Sequence, residues 1–159
     1  MEAKITAAPS REQIERAHQA IASDIHRTPI ISNSSINQIA GCTIHFKCEN
    51  FQKIGAFKMR GASYATRTLS DTERQCGIAT HSSGNHAQAV ALSAQMHGLK
   101  AYIVMPKNAP SIKRNATAAY GAQIIPSEAT IVHRQATLDE VVKETGATFI
   151  HPYNDYNVI

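Results

Sequence analysis

Gly77-Ile78-Ala79-Thr80-His81-Ser82-Ser83-Gly84-Asn85-His86-Ala87-Gln88 decides the fold. Residues 77–80 read as a short strand and residues 81–84 as a turn of small polar side chains. An alanine-rich helix follows over residues 85–97, closed by Gly98. The same rhythm continues. Residues 101–105 read as a strand ended by Pro106, 110–120 as a helix closed by Gly121, and 123–125 as a strand. Residues 127–145 then form a helix closed by Gly146, and 148–150 a last strand before His151-Pro152. Strands alternating with helices call for an open parallel sheet with helices on its faces, so the fold class is α/β.

Upstream the pattern is less regular. Residues 57–69 carry small and apolar side chains at helical spacing (Phe57, Gly61, Ala62, Ala65, Leu69), which suits a helix packed closely on other backbone. A loop through Gly55 precedes it. Residues 43–48 alternate, with Ile44, Phe46 and Cys48 on one side, and predict a strand with one drier face. Residues 10–25 predict an amphipathic helix, with Ser10 and Gln13 as a capping box and Ile14, Ala17, Ile21 and Ile25 on one face. Thr28-Pro29 ends it. Ser32-Asn33-Ser34-Ser35 reads as a cap or turn before a short helix over 36–40, stopped by Gly41.

Composition narrows the function classes. Hydrophobic residues at 43% and charged residues at 18% are ordinary globular usage, so a folded core is expected rather than disorder. No apolar stretch is long enough to span a bilayer. Met1-Glu2-Ala3-Lys4 leads into a polar segment without an apolar signal core, which makes the cytoplasm the expected compartment. The net charge of +4 comes from scattered Lys and Arg, with no Trp, so no nucleic-acid partner is expected. Cys42, Cys48 and Cys76 are odd in number and lack CxxC spacing, which reads as buried reduced thiols. The eight histidines form no HExxH or comparable cluster, so no metal ligand is assigned.

Two segments can carry chemistry. The first is Asn50-Phe51-Gln52-Lys53-Ile54-Gly55-Ala56-Phe57-Lys58-Met59-Arg60-Gly61-Ala62. A lysine in such a loop can form a Schiff base if its amine is partly deprotonated, which desolvation and neighbouring cations favour. Arg60 is two residues away and does not share a helix face with Lys58. Taken alone, a lysine is most often a solvated surface charge. The second segment is the 81–88 turn, where free N–H groups and the positive end of a helix dipole meet and can bind a carboxylate or phosphate. Gly84 lets backbone come close to a ligand, Ser82 and Ser83 add hydroxyls, and Asn85 adds an amide. An ordinary helix cap would use the same residue types.

Together, aromatic-Lys-x-Arg-Gly-Ala at 57–62 and Ser-Ser-Gly-Asn-His at 82–86 resemble the fold-type-II pyridoxal-phosphate enzymes. Within them the match is to the serine racemase and serine/threonine dehydratase branch. Thr28-Pro29, Lys47-Cys48-Glu49-Asn50-Phe51-Gln52, Ala101-Tyr102-Ile103-Val104-Met105-Pro106, Ala119-Tyr120-Gly121-Ala122 and His151-Pro152-Tyr153-Asn154-Asp155 extend the resemblance from about residue 14 to residue 159. It implies the small domain of a tryptophan-synthase-β-like fold over 53–150. Residues 1–52 would be an N-terminal segment of an incomplete larger domain, and 151–159 the start of a return into it.

By the same resemblance, Lys58 is the lysine that holds pyridoxal 5′-phosphate and later takes the substrate α-proton. Phe57 lies beside the cofactor ring, Asn85 bonds its hydroxyl, and Tyr153 joins the cofactor site. Ser82, Ser83, Gly84, Asn85 and His86 receive the carboxylate of a serine- or threonine-type substrate, and Ser83 is the second acid/base. Two positions depart from the family. Ala56 stands where Ser or Thr is usual, and Ile54 where Thr is usual in the branch that binds a nucleotide, which argues against nucleotide activation. The family's glycine-rich phosphate cup, its pyridine-nitrogen contact and its divalent-cation site fall beyond residue 159. The expectation is therefore a partial chain with weak or no turnover alone. Two alternatives stay open. One is a non-catalytic truncated relative that pairs with itself or with a full-length relative. The other is a nucleotide-binding α/β domain, for which no GxGxxG or P-loop speaks.

Overall fold

The computed structural model describes residues 8–159. The stretch 1–7, which holds most of the segment read as free of a signal core, lies outside the described residues. A four-stranded parallel sheet has the order β5-β4-β3-β6, where β3 is Ile78–His81, β4 Ala101–Pro106, β5 Gln123–Ser127 and β6 Thr148–Phe149. Ile78 pairs with Ala101 on one side and Thr148 on the other, and Tyr102 pairs with Gln123. The helices α3 (Lys58–Arg67), α5 (Asn85–Met96), α6 (Ser111–Ala119) and α7 (Ile131–Thr145) flank it.

Alternation along the strands builds two cores, because successive side chains leave opposite faces. Ile78, Ile103 and Met105 turn to one face and pack with Ala62 and Ala65 of α3 and Ala87, Val90 and Ala94 of α5. Ala79 and Val104 turn to the other and pack with Leu138 and Val141 of α7. The alanines let α3 and α5 lie close to the sheet, as the run of small residues predicted.

Helix ends follow their caps. The predicted Ser10–Gln13 capping box is formed, and α1 runs Arg11–Ile21. It stops short of the predicted residue 25. The chain turns there, and the buried Asp24 carboxylate accepts from Arg67 Nε at 2.6 Å and Nη2 at 2.7 Å. Ile21 and Ile25 are buried against Met59, while Ile14 stays more than half exposed. The last long helix starts at Ile131 because Thr130 caps it, so residues 127–130 are not helical. Ser70 and Glu73 form a second capping box at the start of α4 (Asp71–Cys76), a helix whose polar sequence hid its period.

The predicted strand over 43–48 shrinks to β2 (Phe46–Lys47), paired antiparallel with β1 (Ile30–Ile31), which the sequence did not announce. Among the described residues little covers this ribbon. Phe46 is exposed, Ile44 is half-buried, and only Cys48 of the expected dry face is buried. Cys42 lies on the surface rather than in a core. The short helix α2 (Ser34–Ala40) is capped by the Asn33 side chain. Among the described residues no helix is long and apolar enough to cross a membrane.

The C-terminal turn rests on α3 at Gly61. A methyl group there would fall 2.1 Å from the Val158 carbonyl oxygen and 2.9 Å from Val158 Cα. Alanine is the better helix former by about 1 kcal/mol, yet overpacking backbone costs more. Gly61→Ala is expected to destabilise the chain by about 2 kcal/mol, read as a lower urea midpoint at constant m-value.

Candidate active site

The sheet order creates the crevice. From β3 the chain winds through α5 to β4 on one side, and β6 returns to pair on the other side of β3. In open α/β sheets, ligands bind outside the carboxyl ends of strands at such a switch point. Two turns leave those ends. One carries Ser82, Ser83 and Gly84 into α5, and the other carries Ile150, His151, Pro152 and Tyr153 from β6.

The first turn is tied down where it leaves the sheet. Ser82 N–H donates to the Val104 carbonyl at 3.1 Å, and Gly84 N–H donates to Ser82 Oγ at 3.2 Å. The cap position of α5 is Gly84, and no side chain caps the helix. Its leading N–H groups are thus open to an anion. Gly84 has φ −131°, and a methyl group on it would meet nothing within 4 Å. The folded chain itself makes no demand for glycine here. Ser83 is half-buried and Asn85 exposed, and among the described residues neither side chain has a hydrogen-bond partner.

Lys58 opens α3 and reaches across the crevice. Its Nζ donates to the Pro152 carbonyl oxygen at 2.5 Å and lies 5.2 Å from the centre of the Phe57 ring. Burial lowers its pKa from the ordinary lysine value. A carbonyl, unlike a carboxylate, does not lock the amine as an ion pair. Arg60 faces elsewhere, as its spacing required. Its guanidinium grips Glu49 through Nε at 2.9 Å and Nη2 at 2.7 Å, and Thr28 Oγ1 donates to the same carboxylate at 2.6 Å.

That grip anchors the first turn of α3. The Arg60 hydrogen bond, against the cost of burial and with help from Thr28, holds the Glu49 pKa down to about 2. A carboxyl depressed in the folded state adds stability above its unfolded pKa and loses it as pH falls through the folded one. Stability is expected to drop by about 1–3 kcal/mol between roughly pH 4.5 and pH 2. Urea midpoints across that range would show it, and in Glu49→Gln that part of the dependence disappears.

Two residues assigned to ligands sit differently from each other. Tyr153 is 69% exposed, its ring edge-on to His151 at 4.6 Å, at the rim of the crevice. His86 is buried, and its Nε2 contacts the Ile150 carbonyl at 3.0 Å. Its imidazole is turned from any substrate, leaving only its backbone N–H for the carboxylate loop. Burial pushes its pKa down to about 4, with Lys58, His151 and His81 adding to the same effect. Sequence reasoning missed the Pro152 carbonyl, and no sequence signal could have found it, because a backbone acceptor has no letter. Behind Lys58 a cavity of about 390 Å³ opens between α1, α3 and the C-terminal turn, walled by Ile14, Ile21, Phe57, Tyr64 and Val158.

These donors suit the aldehyde and ring of pyridoxal phosphate. A partly desolvated amine is held by a neutral acceptor, an exposed aromatic ring stands beside it, and the exposed Asn85 amide belongs to the first residue of a helix that no side chain caps. The profile of the family described as pyridoxal-phosphate dependent enzyme matches residues 21–159. The chain belongs to this family.

Relatives in the pyridoxal-phosphate family agree in sequence and structure. The chain is 49% identical to a serine racemase of Oryza sativa subsp. indica over 146 residues, covering 92% of this chain and 43% of that protein. Maize serine racemase superposes with a TM-score of 0.92 at 46% identity, over 96% of this chain and 46% of its own. The serine racemase of Dictyostelium discoideum superposes at 0.91 with 41% identity, over 96% and 50%. The chain therefore spans half the length of these relatives or less. The α/β architecture is that of tryptophan-synthase-β-like pyridoxal-phosphate enzymes.

Proposed function

We propose that this chain supplies the lysine and the substrate loop of a pyridoxal-phosphate-dependent serine racemase or serine/threonine ammonia-lyase. The observation that carries the reading is the meeting, at one switch point, of Lys58 with the Pro152 carbonyl and of this turn with the uncapped start of α5. Residues 53–150 form the small domain in this reading, with 1–52 and 151–159 belonging to a larger one.

Lys58 would hold the cofactor, Phe57 and Tyr153 would flank it, and Asn85 would bond its ring hydroxyl. When bound, pyridoxal phosphate supplies an electron sink for a carbanion at the substrate α-carbon. The turn of Ser82, Ser83, Gly84 and Asn85, with the His86 N–H, orients the carboxylate. The Lys58 amine, free once the substrate amine has replaced it, would take the α-proton, and the Ser83 hydroxyl would give one back on the opposite face, which would invert the centre. Loss of the β-hydroxyl as water instead leads to a 2-oxo acid and ammonia after hydrolysis. In this reading the phosphate and any divalent cation are held outside these 159 residues, so turnover by the chain alone is weak or absent.

Spectroscopy of the purified chain with pyridoxal phosphate and serine tests this. Serine is expected to perturb the visible band even where keto-acid release is negligible. Gly84→Ala should abolish that perturbation while changing stability by less than about 1 kcal/mol. A band indifferent to serine would overturn the reading, and robust keto-acid release by the chain alone would overturn the expectation of weak turnover.

A second reading has its own support. Ile30, Ile31, Ile39 and Phe51 are each more than half exposed on the N-terminal ribbon and its neighbours, more than scattered surface apolars require. In that reading the chain is an interaction module that pairs with itself or a longer relative, and a mass that does not rise with concentration or on mixing counts against it.

A further inference from the structure

We propose that His86 is a positioning residue: with Thr80 it fixes the turn after β6 so that the Pro152 carbonyl receives the Lys58 ammonium. The turn hangs on one carbonyl. Ile150 O accepts from Thr80 Oγ1 at 2.8 Å and meets His86 Nε2 at 3.0 Å. A carbonyl only accepts, so Nε2 carries the imidazole proton. Nδ1 is then a bare lone pair, and it is buried without a partner among the described residues. An imidazole kept at that cost serves through its other nitrogen rather than through packing. Both lone pairs of Ile150 O are occupied, while Ile150 N–H donates to the Ala79 carbonyl at 2.9 Å. The chain leaving β6 is thereby held from β3 and from α5 together.

The far side of the turn is held as well. His151 Nδ1 accepts the N–H groups of Asn154 at 2.8 Å and Tyr153 at 3.2 Å. Between these two fastenings the Pro152 carbonyl has Lys58 Nζ as its hydrogen-bond donor. Because burial keeps His86 neutral, it fixes the turn without setting a second positive charge beside the ammonium. The reactivity of Lys58 belongs to the function proposed above, whereas its docking on Pro152 does not depend on it.

Competitive acetylation of the purified chain with acetic anhydride, without cofactor and followed by peptide mass spectrometry, tests the inference. Lys58 labelling is read as a rate relative to that of the exposed Lys113 in the same sample. His86→Leu and Thr80→Val should each speed Lys58 labelling about five-fold, the equivalent of one hydrogen bond. His86→Gln, which keeps an amide donor, should restore protection. Leu138→Ala, buried on the opposite face of the sheet, should lower the melting temperature and leave Lys58 labelling unchanged. Unchanged labelling in Thr80→Val and in folded His86→Leu would overturn the proposal, as would an equal rise in Leu138→Ala. If His86→Leu does not fold, Thr80→Val decides. Failure of cofactor capture with these labelling shifts intact would defeat the functional reading and leave the positioning role standing.

Discussion

Lys58→Ala is expected to abolish the visible absorbance that the wild-type chain should develop with pyridoxal phosphate. The variant removes an amine that is part-buried in the crevice, lies 5.2 Å from the centre of the exposed Phe57 ring and is docked on a neutral carbonyl. Lys113 and Lys143 stand exposed in water, without the desolvation that frees an amine to attack an aldehyde. Loss of stability is expected to be small, below about 1 kcal/mol, because Lys58 sits at the helix start and is held by a carbonyl rather than by an ion pair. A loss of the band with an unchanged melting temperature separates loss of the amine from loss of the fold.

Gln52→Leu is expected to destabilise the chain by about 3–5 kcal/mol. The Gln52 side chain is buried and works as a surrogate strand. Its Oε1 accepts from His26 N–H at 2.9 Å and Lys53 N–H at 3.0 Å, and its Nε2 donates to the His26 carbonyl at 2.9 Å. Leucine is close in size but leaves three backbone groups without those partners. The loop it anchors also contains Ile54 at φ 58°, a left-handed conformation that a β-branched residue adopts only under restraint. Loosening the restraint should let Ile54 relax and shift the start of α3, so cofactor capture should fall with stability. Chemical denaturation and cofactor titration of the same variant would show the two losses together.

The fold was legible where side-chain period and helix punctuation agreed. Gly98, Gly121 and Gly146 marked the ends of helices, and the apolar strands between them alternated between two cores. Of the N-terminal ribbon only β2 was legible, inside the strand read over 43–48, because β1 is two residues long and a two-residue strand has no period to read. For the site, the sequence located Lys58 and the 82–86 turn, yet it could not tell that the His86 ring turns inward while Asn85 stays outside. Adjacent residues at a helix start differ in direction by about 100°, and which of them faces the sheet depends on how α5 docks. The Pro152 carbonyl was beyond reach altogether, since its role depends on topology.

The most direct test of the central claim is borohydride reduction of the chain with pyridoxal phosphate, followed by peptide mapping of the labelled lysine. Lys58 is expected to carry the label at limiting cofactor, ahead of the exposed Lys107, Lys113 and Lys143. Label spread over those surface lysines, with Lys58 unmodified in folded protein, would contradict it.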